Sequence, residues 1–262
     1  MPEGRFHPVR EFDELDSTNR YLLEEARRGG PEGMVAVADH QSAGRGRLGR
    51  TWEAPAGSSL LMSVLLRPPL DAGQLYLATA AVALSTAAAC RRAAGVEALC
   101  KWPNDLVVDD RKLAGVLAEV EMGESTARPE ARCPAVVVGV GLNVSWPGPP
   151  GAGGTSLLEL SGREVDRRDL RTLVLEELEE RRRALDDAVG RSGILAELRA
   201  LSATLGRLVR VERAGAAVGG VVEGRAVDLN DAGHLVLETD TGRVELSVGD
   251  VVHLRPAGGP VP

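Results

Sequence analysis

Lysine is almost missing from this chain. Of its 31 lysines and arginines only Lys101 and Lys112 are lysine, and they share one stretch, CKWPNDLVVDDRKLAGVLAE. A compositional lean toward alanine, arginine, glycine and valine accounts for the scarcity but not for the location. A rotatable ammonium and a planar guanidinium are not interchangeable, so two lysines kept together mark a place where a compact positive charge is needed. Asparagine and tryptophan are also scarce, and Asn19, Asn104, Asn143, Trp52 and Trp102 all fall in motif-like segments. Aromatic residues make up 3% of the chain, so the core must be built from leucine, valine and alanine. Cys90, Cys100 and Cys133 are odd in number and show no Cys-x-x-Cys spacing. That argues against a disulfide framework and for reduced thiols in the cytoplasm. His7, His40, His234 and His253 are scattered, which argues against a histidine-based metal site. No apolar stretch of signal-peptide length opens the chain. The most apolar run, Leu75 to Cys90, is alanine-rich and shorter than a membrane span, and reads as a buried helix. The expectation is a cytoplasmic protein with no membrane partner. A net charge of −7 argues against general nucleic-acid binding while leaving room for a local basic site.

What is present suits a soluble globular protein of 262 residues, large enough for one large or two unequal domains. Asp16-Ser17-Thr18-Asn19 supplies capping side chains for a helix that stops at Gly29-Gly30. Met34 to His40 and LLMSVLLRP read as strands, with a glycine- and arginine-rich loop between them. A helix is expected from about Gly73 to Ala94, followed by strands at Ala98–Trp102, Leu106–Val108, Leu113–Val120 and Ala135–Val144. After the loop WPGPPGAGG, Asp166 and Asp169 start an amphipathic helix whose many opposite charges form a solvated face. A further helix runs from Ile194 to Leu205. Beyond Gly206 the period changes to two in LVRVER, GGVVEGRAVDL, HLVLET and RVELSV, which suggests a small barrel of four or five strands. The boundary is placed there, giving domains 1–205 and 206–262.

Three segments carry chemistry. In Gly44-Arg45-Gly46-Arg47-Leu48-Gly49-Arg50-Thr51-Trp52 the glycines let backbone N–H groups approach a ligand, three arginines concentrate positive charge, and Trp52 offers a flat stacking surface. The combination suits a nucleotide phosphate held beside an organic acid. Taken alone it also reads as a solvated turn or an RNA-binding stretch; the flanking strands favour a positioned site. In Lys101-Trp102-Pro103-Asn104-Asp105 followed by Lys112-Leu113-Ala114-Gly115, the spacing fits a tight hairpin that sets Lys101, Asn104, Asp105 and Lys112 around one pocket. In Gly139-Val140-Gly141-Leu142-Asn143-Val144, glycine within a strand pattern suggests a bulge or the close approach of a ligand. Asn143 is either a core amide or a ligand contact.

GRGRLGRTW, KWPNDL, RKLAGVLAE and GVGLNV, in that order and over these distances, resemble biotin protein ligase. The resemblance begins at Ser17-Thr18-Asn19, includes Gln41, and extends to the terminal GDVVHLRP. It implies an α+β fold: a mixed β-sheet catalytic domain with flanking helices, like class II aminoacyl-tRNA synthetases and biotin ligases, plus a small C-terminal SH3-like β-barrel. It implies that biotin attacks ATP to give biotinyl-5′-AMP, and that a lysine of a biotin carboxyl carrier domain of acetyl-CoA or acyl-CoA carboxylase then takes the biotinyl group. Carried over residue by residue, Ser17, Thr18, Asn19, Gln41, Gly44, Arg45, Gly46, Arg47, Lys112 and Gly115 form the biotin site. Arg50, Trp52, Lys101, Asn104 and Asn143 face the ATP or adenylate side, and Lys112, Arg47 and Asp105 are the catalytic candidates. Mg²⁺ is expected with the ATP phosphates, its protein ligands unassigned. Sixteen residues precede Ser17, too few for the DNA-binding domain of the repressor members. The expectation is therefore a monomeric or weakly dimeric ligase that binds no DNA. Lipoate ligases and octanoyl transferases share the general fold; the paired arginine loop and the C-terminal barrel argue for biotin.

Overall fold

The computed structural model describes residues 4–121, 135–213, 220–247 and 249–254. Cys133, Val248 and the Arg255-Pro256 end of the terminal motif lie outside them.

The first sheet is mixed and has seven strands. These are β1 (Val9–Leu15), β2 (Val35–Gln41), β3 (Ser59–Leu66), β4 (Leu99–Lys101), β5 (Asp105–Val108), β6 (Arg111–Glu121) and β7 (Ala135–Asn143). Their spatial order is β1-β2-β3-β7-β6-β5-β4. β1 and β2 are parallel and the remaining neighbours antiparallel. β3 is buried along its whole length, as a central strand covered on both faces must be. Helix α1 (Thr18–Arg27) packs Leu22, Leu23 and Ala26 on one face, against Ala36, Leu65 and Val137. The other face carries the larger core, under α2 (Tyr76–Ala94), α4 (Arg167–Ala184) and α5 (Ala188–Ala200). α2 passes for a membrane span by length and apolarity, but most of it is buried here. It is a core helix, ended by Gly95 in the left-handed conformation at φ 69°. Each fully buried leucine or valine in these layers contributes roughly 1.5–3 kcal/mol, so the two-sided packing dominates the stability of the sheet.

The second sheet is antiparallel, with β8 (Leu208–Arg213), β9 (Gly220–Leu229), β10 (Leu235–Thr239), β11 (Gly242–Leu246) and β12 (Asp250–His253) in the order β11-β10-β9-β8-β12. Among the described residues no strand pairing joins β11 back to β12, so the expected closed barrel is an open five-stranded sheet in its hydrogen bonding. The two sheets are keyed together. Trp102 Nε1 donates to Gly233 O at 3.0 Å, and Gly233, at φ 77°, lies so close to Tyr76 that a Cβ would sit 1.9 Å from its ring.

The structure corrects the sequence reading in three places. β1, VREFDEL, was not foreseen, because an edge strand that alternates charged and half-buried residues carries little apolar signal. The short helix α3 (Leu157–Ser161), capped by Ser156, closes the glycine-rich loop. The last helix runs Ala188–Ala200, where Ile194–Leu205 is expected. It starts early because the Asp187 side chain accepts from Gly190 N at 2.8 Å. It stops early because Leu201 and Ala203 turn to hydrogen-bond the backbone of Cys100 on β4.

Candidate active site

Alternation along β6 and β7 decides where a cavity can form. Val138, Val140 and Leu142 point into the larger core, which leaves Gly139 and Gly141 on the face carrying α1. Beyond the end of α1 that face is left bare by small residues, and a cavity of about 360 Å³ opens there. Its floor is covered by a side chain of the protein itself. The Trp52 ring lies so near that a Cβ on Gly141 would be 2.4 Å from it, and one on Gly115 3.0 Å. The strand glycines therefore serve close approach, in this case of Trp52 and of Asn19, whose Oδ1 is 2.2 Å from a Cβ built on Gly139.

The KWPND segment and Lys112 form the expected hairpin. β5 and β6 are joined through Asp109 and Asp110, both at positive φ (49° and 61°), as a two-residue type I′ turn requires. Asp105 and Lys112 return to the same side and pair at 2.7 Å between Oδ1 and Nζ. The Lys112 ammonium also stands 5.5 Å from the centre of the Trp52 ring, within cation–π range. Its main chain is tied at both polar groups: Lys112 N donates to Gly153 O at 3.0 Å and Thr155 N donates to Lys112 O at 2.8 Å. Asn104 is held by two hydrogen bonds to Val116, and its Oδ1 accepts from Arg47 Nη1 at 3.3 Å.

The arginine loop is a narrow hairpin. Trp52 N donates to Gly44 O at 3.0 Å and Gly46 N to Arg50 O at 2.7 Å, with Leu48 and Gly49 at positive φ at the tip. Its three arginines are each gripped by a carboxylate. Arg45 pairs with Glu119 of β6 at 2.9 Å. Arg47, 3.7 Å from Asp250, and Arg50, in contact with the same carboxylate, are held by β12 of the second sheet. Arg47 also donates to Gly249 O at 3.3 Å. Burial pulls the Arg47 pKa below its ordinary value, with Asp250 and Asp105 acting the other way; a guanidinium so placed keeps its charge.

The opposite end of the cavity is neutral. Ser17 caps α1, and Thr18 N donates to Gln41 Oε1 at 2.7 Å. The Thr18 and Ser63 hydroxyls are 2.7 Å apart, Ser63 Oγ donates to Asn19 Oδ1 at 2.6 Å, and Asn19 Nδ2 donates to Leu117 O and Glu119 Oε2. A ligand entering here meets amides and hydroxyls at one end and an ammonium with two guanidinium groups at the other. That division suits a molecule with a neutral polar head and an acid tail meeting a phosphate.

Fourteen of the expected residues line this one cavity: Ser17, Thr18, Asn19, Gln41, Arg45, Gly46, Arg47, Arg50, Trp52, Lys101, Asn104, Asp105, Lys112 and Gly115. Two do not. Gly44 is buried at the base of the loop, where a Cβ would be 2.3 Å from Trp52 O. Asn143 is buried behind Lys112 and donates to Thr155 O at 2.9 Å and to Lys112 O at 3.4 Å; the amide holds the lysine's strand in place. Sequence reasoning missed Ser63, Glu119, Glu212 and Asp250. The period-two pattern from Gly115 through Leu117 to Glu119 was the available signal for Glu119, and the GDVVHL motif was the signal for Asp250.

Residues 11–143 match the Biotin/lipoate A/B protein ligase family, and residues 204–254 match the Biotin protein ligase C terminal domain. The chain belongs to the biotin protein ligases. Within that family it is 40% identical to the biotin--[acetyl-CoA-carboxylase] ligase of Mycobacterium tuberculosis over 245 residues, which cover 91% of this chain and 86% of that protein. It is 30% identical to the bifunctional ligase/repressor BirA of Escherichia coli, with 93% of this chain and 73% of that protein covered. The structure of biotin protein ligase from Aquifex aeolicus in complex with biotin and ATP matches it at a TM-score of 0.78 and 27% identity, over 96% of this chain and 100% of that one.

Proposed function

We propose that this protein is a biotin–[biotin carboxyl carrier] ligase that uses ATP to make biotinyl-5′-AMP and passes the biotinyl group to a carrier lysine. One observation carries the reading: the Lys112 ammonium, the Arg47 guanidinium, Thr18 and Asn19 all border one cavity, and the buried Ser63 hydroxyl links the last two from behind. In the first step a biotin carboxylate oxygen attacks the α-phosphorus of ATP, and the bond to pyrophosphate breaks. Two anions must meet, so fixed cations do most of what the protein can do. Lys112 is positioned for the carboxylate and, afterwards, the anhydride oxygens; Arg47, Arg50 and Lys101 suit the phosphates. Trp52 offers a face to the adenylate. In the second step the carrier amine attacks the acyl carbon, AMP leaves with the anhydride oxygen, and the amine loses a proton to solvent or to a carboxylate such as Asp105.

A magnesium ion is read as arriving on the triphosphate, as part of the substrate. Among the described residues no three carboxylate, histidine or cysteine side chains converge as a metal cage. The cavity carboxylates Asp105 and Asp250 are already paired with cations. The five C-terminal strands are read as an SH3-like module. The reading includes no DNA-binding role, which the net charge of −7 supports, and a cytoplasmic setting, which suits Cys90 and Cys100, both free and buried with thiols pushed up to about 12. Incubation with biotin, ATP and a biotin carboxyl carrier domain should add one biotinyl group to the carrier by mass spectrometry. A carrier of unchanged mass would oppose the reading.

A further inference from the structure

Glu119 stands beside the cavity and touches both its neutral end and the arginine loop. Its Oε2 accepts from Asn19 Nδ2 at 2.9 Å, and its Oε1 pairs with Arg45 Nη1, also at 2.9 Å. The Glu119 side chain is 20% exposed and Asn19 only 4%. Among the described residues no other carboxylate engages either partner.

A carboxylate only accepts hydrogen bonds, and that fixes everything downstream of it. The amide nitrogen of Asn19 must face Glu119 and Leu117 O, so Asn19 Oδ1 must face Ser63. Ser63 then gives its single proton to Asn19 Oδ1. The 2.7 Å contact between the two hydroxyls therefore uses the Thr18 proton, and the longer 3.1 Å approach of Thr18 Oγ1 to Gln41 Oε1 is left without one. Gln41 Oε1 is satisfied by Thr18 N, which leaves its Nε2 as a donor on the side of Gly44, at the base of the arginine loop. The Glu119 carboxylate, with Leu117 O beside it, thus orders the polarity of Asn19, Ser63 and Thr18, while Thr18 N sets Gln41. Gly139 closes the arrangement from below, since a Cβ there would collide with Asn19 Oδ1.

We propose that Glu119 is a positioning residue: it sets the donor–acceptor order at the neutral end of the cavity and couples that order to Arg45 on the arginine loop. The proposal rests on the biotin reading above. A cyclic urea presents one carbonyl acceptor and two N–H donors, so its recognition depends on a pocket whose polar groups cannot flip. Replacing Glu119 by glutamine keeps the shape but supplies an amide able to accept or donate. Leu117 O alone is then left to hold the Asn19 amide in its orientation, the order of the relay is weakened, and Arg45 loses its counter-charge.

The test is steady-state biotin-dependent ATP–pyrophosphate exchange on the full chain with Glu119→Gln, Glu119→Asp and, as a control, Glu121→Gln. Glu121 lies two residues along the same strand and pairs with Arg27 at 2.8 Å, outside the cavity. Glu119→Gln should raise KM for biotin about tenfold, the scale of one lost charge-assisted hydrogen bond. KM for ATP and the thermal midpoint should stay close to those of Glu121→Gln. Glu119→Asp, which keeps an acceptor-only group, should recover part of the biotin KM, and it answers the question should the glutamine variant fold poorly. In a double-mutant cycle with Arg45→Gln the two changes should be less than additive. An unchanged biotin KM in Glu119→Gln, or equal rises for biotin and ATP, would overturn the proposal, and full additivity would remove the coupling to Arg45. Wild-type protein with no biotin-dependent exchange would instead reject the biotin reading itself, a result distinct from an active wild type with an indifferent variant.

Discussion

At the scale of single residues, the cavity is defined by what its side chains can do with charge. Lys112 is an ammonium on a flexible stem with its main chain fixed at both ends, wedged between Asp105 and the Trp52 ring. A guanidinium carries the same charge and can also stack on that ring, but it is wider and planar and cannot present the same compact, rotatable donor beside Asp105. Lys112→Arg is therefore expected to lower the rate of adenylate formation roughly 100-fold, as loss of one preorganised charge contact does, with the fold retained. Single-turnover measurement of adenylate checks this, and a near-wild-type rate would remove Lys112 from its role. The two lysines were legible because a chain that writes nearly every cation as arginine marks its exceptions. Asn143 was legible as a special residue but not in its use, since an amide that holds a neighbouring strand and one that meets a ligand look alike in sequence. Glu119 was not legible. One acid among 38 acidic residues gains its meaning only from Asn19 and Arg45, both far from it in the chain (100 positions in the case of Asn19), which no local pattern records.

At the scale of elements, the hairpin from Asp105 to Lys112 and the loop from Gly44 to Trp52 are two turns that point into one space. Turn chemistry marked both: Pro103 and Asn104 make the turn that leads into the hairpin, which itself reverses at Asp109-Asp110, and three glycines shape the loop. Long apolar or capped elements were legible for the same kind of reason. Ser17 and Asp166 each accept backbone N–H groups where a helix start was expected, and β3 reads as a buried strand along its length. Elements decided by tertiary partners were not. β1 has its place because β2 offers a parallel edge, and α5 ends where Cys100 captures the chain. The C-terminal strands were foreseen one by one, but their pairing order, with β12 beside β8 and Asp250 carried to the arginine loop, is a matter of topology.

At the scale of the whole molecule, the second sheet completes the cavity wall and is fastened to the first at more than one point. Arg207 bonds both oxygens of Asp110, the residue at the tip of the lysine hairpin, at 2.7 and 2.8 Å. His253 Nδ1 lies 3.0 Å from the same carboxylate. The hydrogen bond from Arg207 holds the Asp110 carboxyl below its usual range. Burial lowers the His253 pKa, helped by Lys101 and Arg207 and opposed by Asp110. The folded chain thus takes up a proton at His253 less readily than the unfolded chain does. Stability from burying His253 as the neutral imidazole is full above its ordinary pKa of about 6.5 and is lost as pH falls through and below it. Asp110 acts with the same sign at more acidic pH. The thermal midpoint should fall between about pH 7.5 and about pH 5.5 in the wild type and less in His253→Gln. Equal falls in both would rule out His253 as the titrating group.

All three scales converge on the claim that one cavity holds biotin and ATP head to head. The most direct measurement is exchange of labelled pyrophosphate into ATP by the purified chain, with biotin, lipoate or neither present. Exchange is expected with biotin, none without an acid substrate, and little with lipoate. Exchange driven by lipoate alone, or independent of any acid, would contradict that claim.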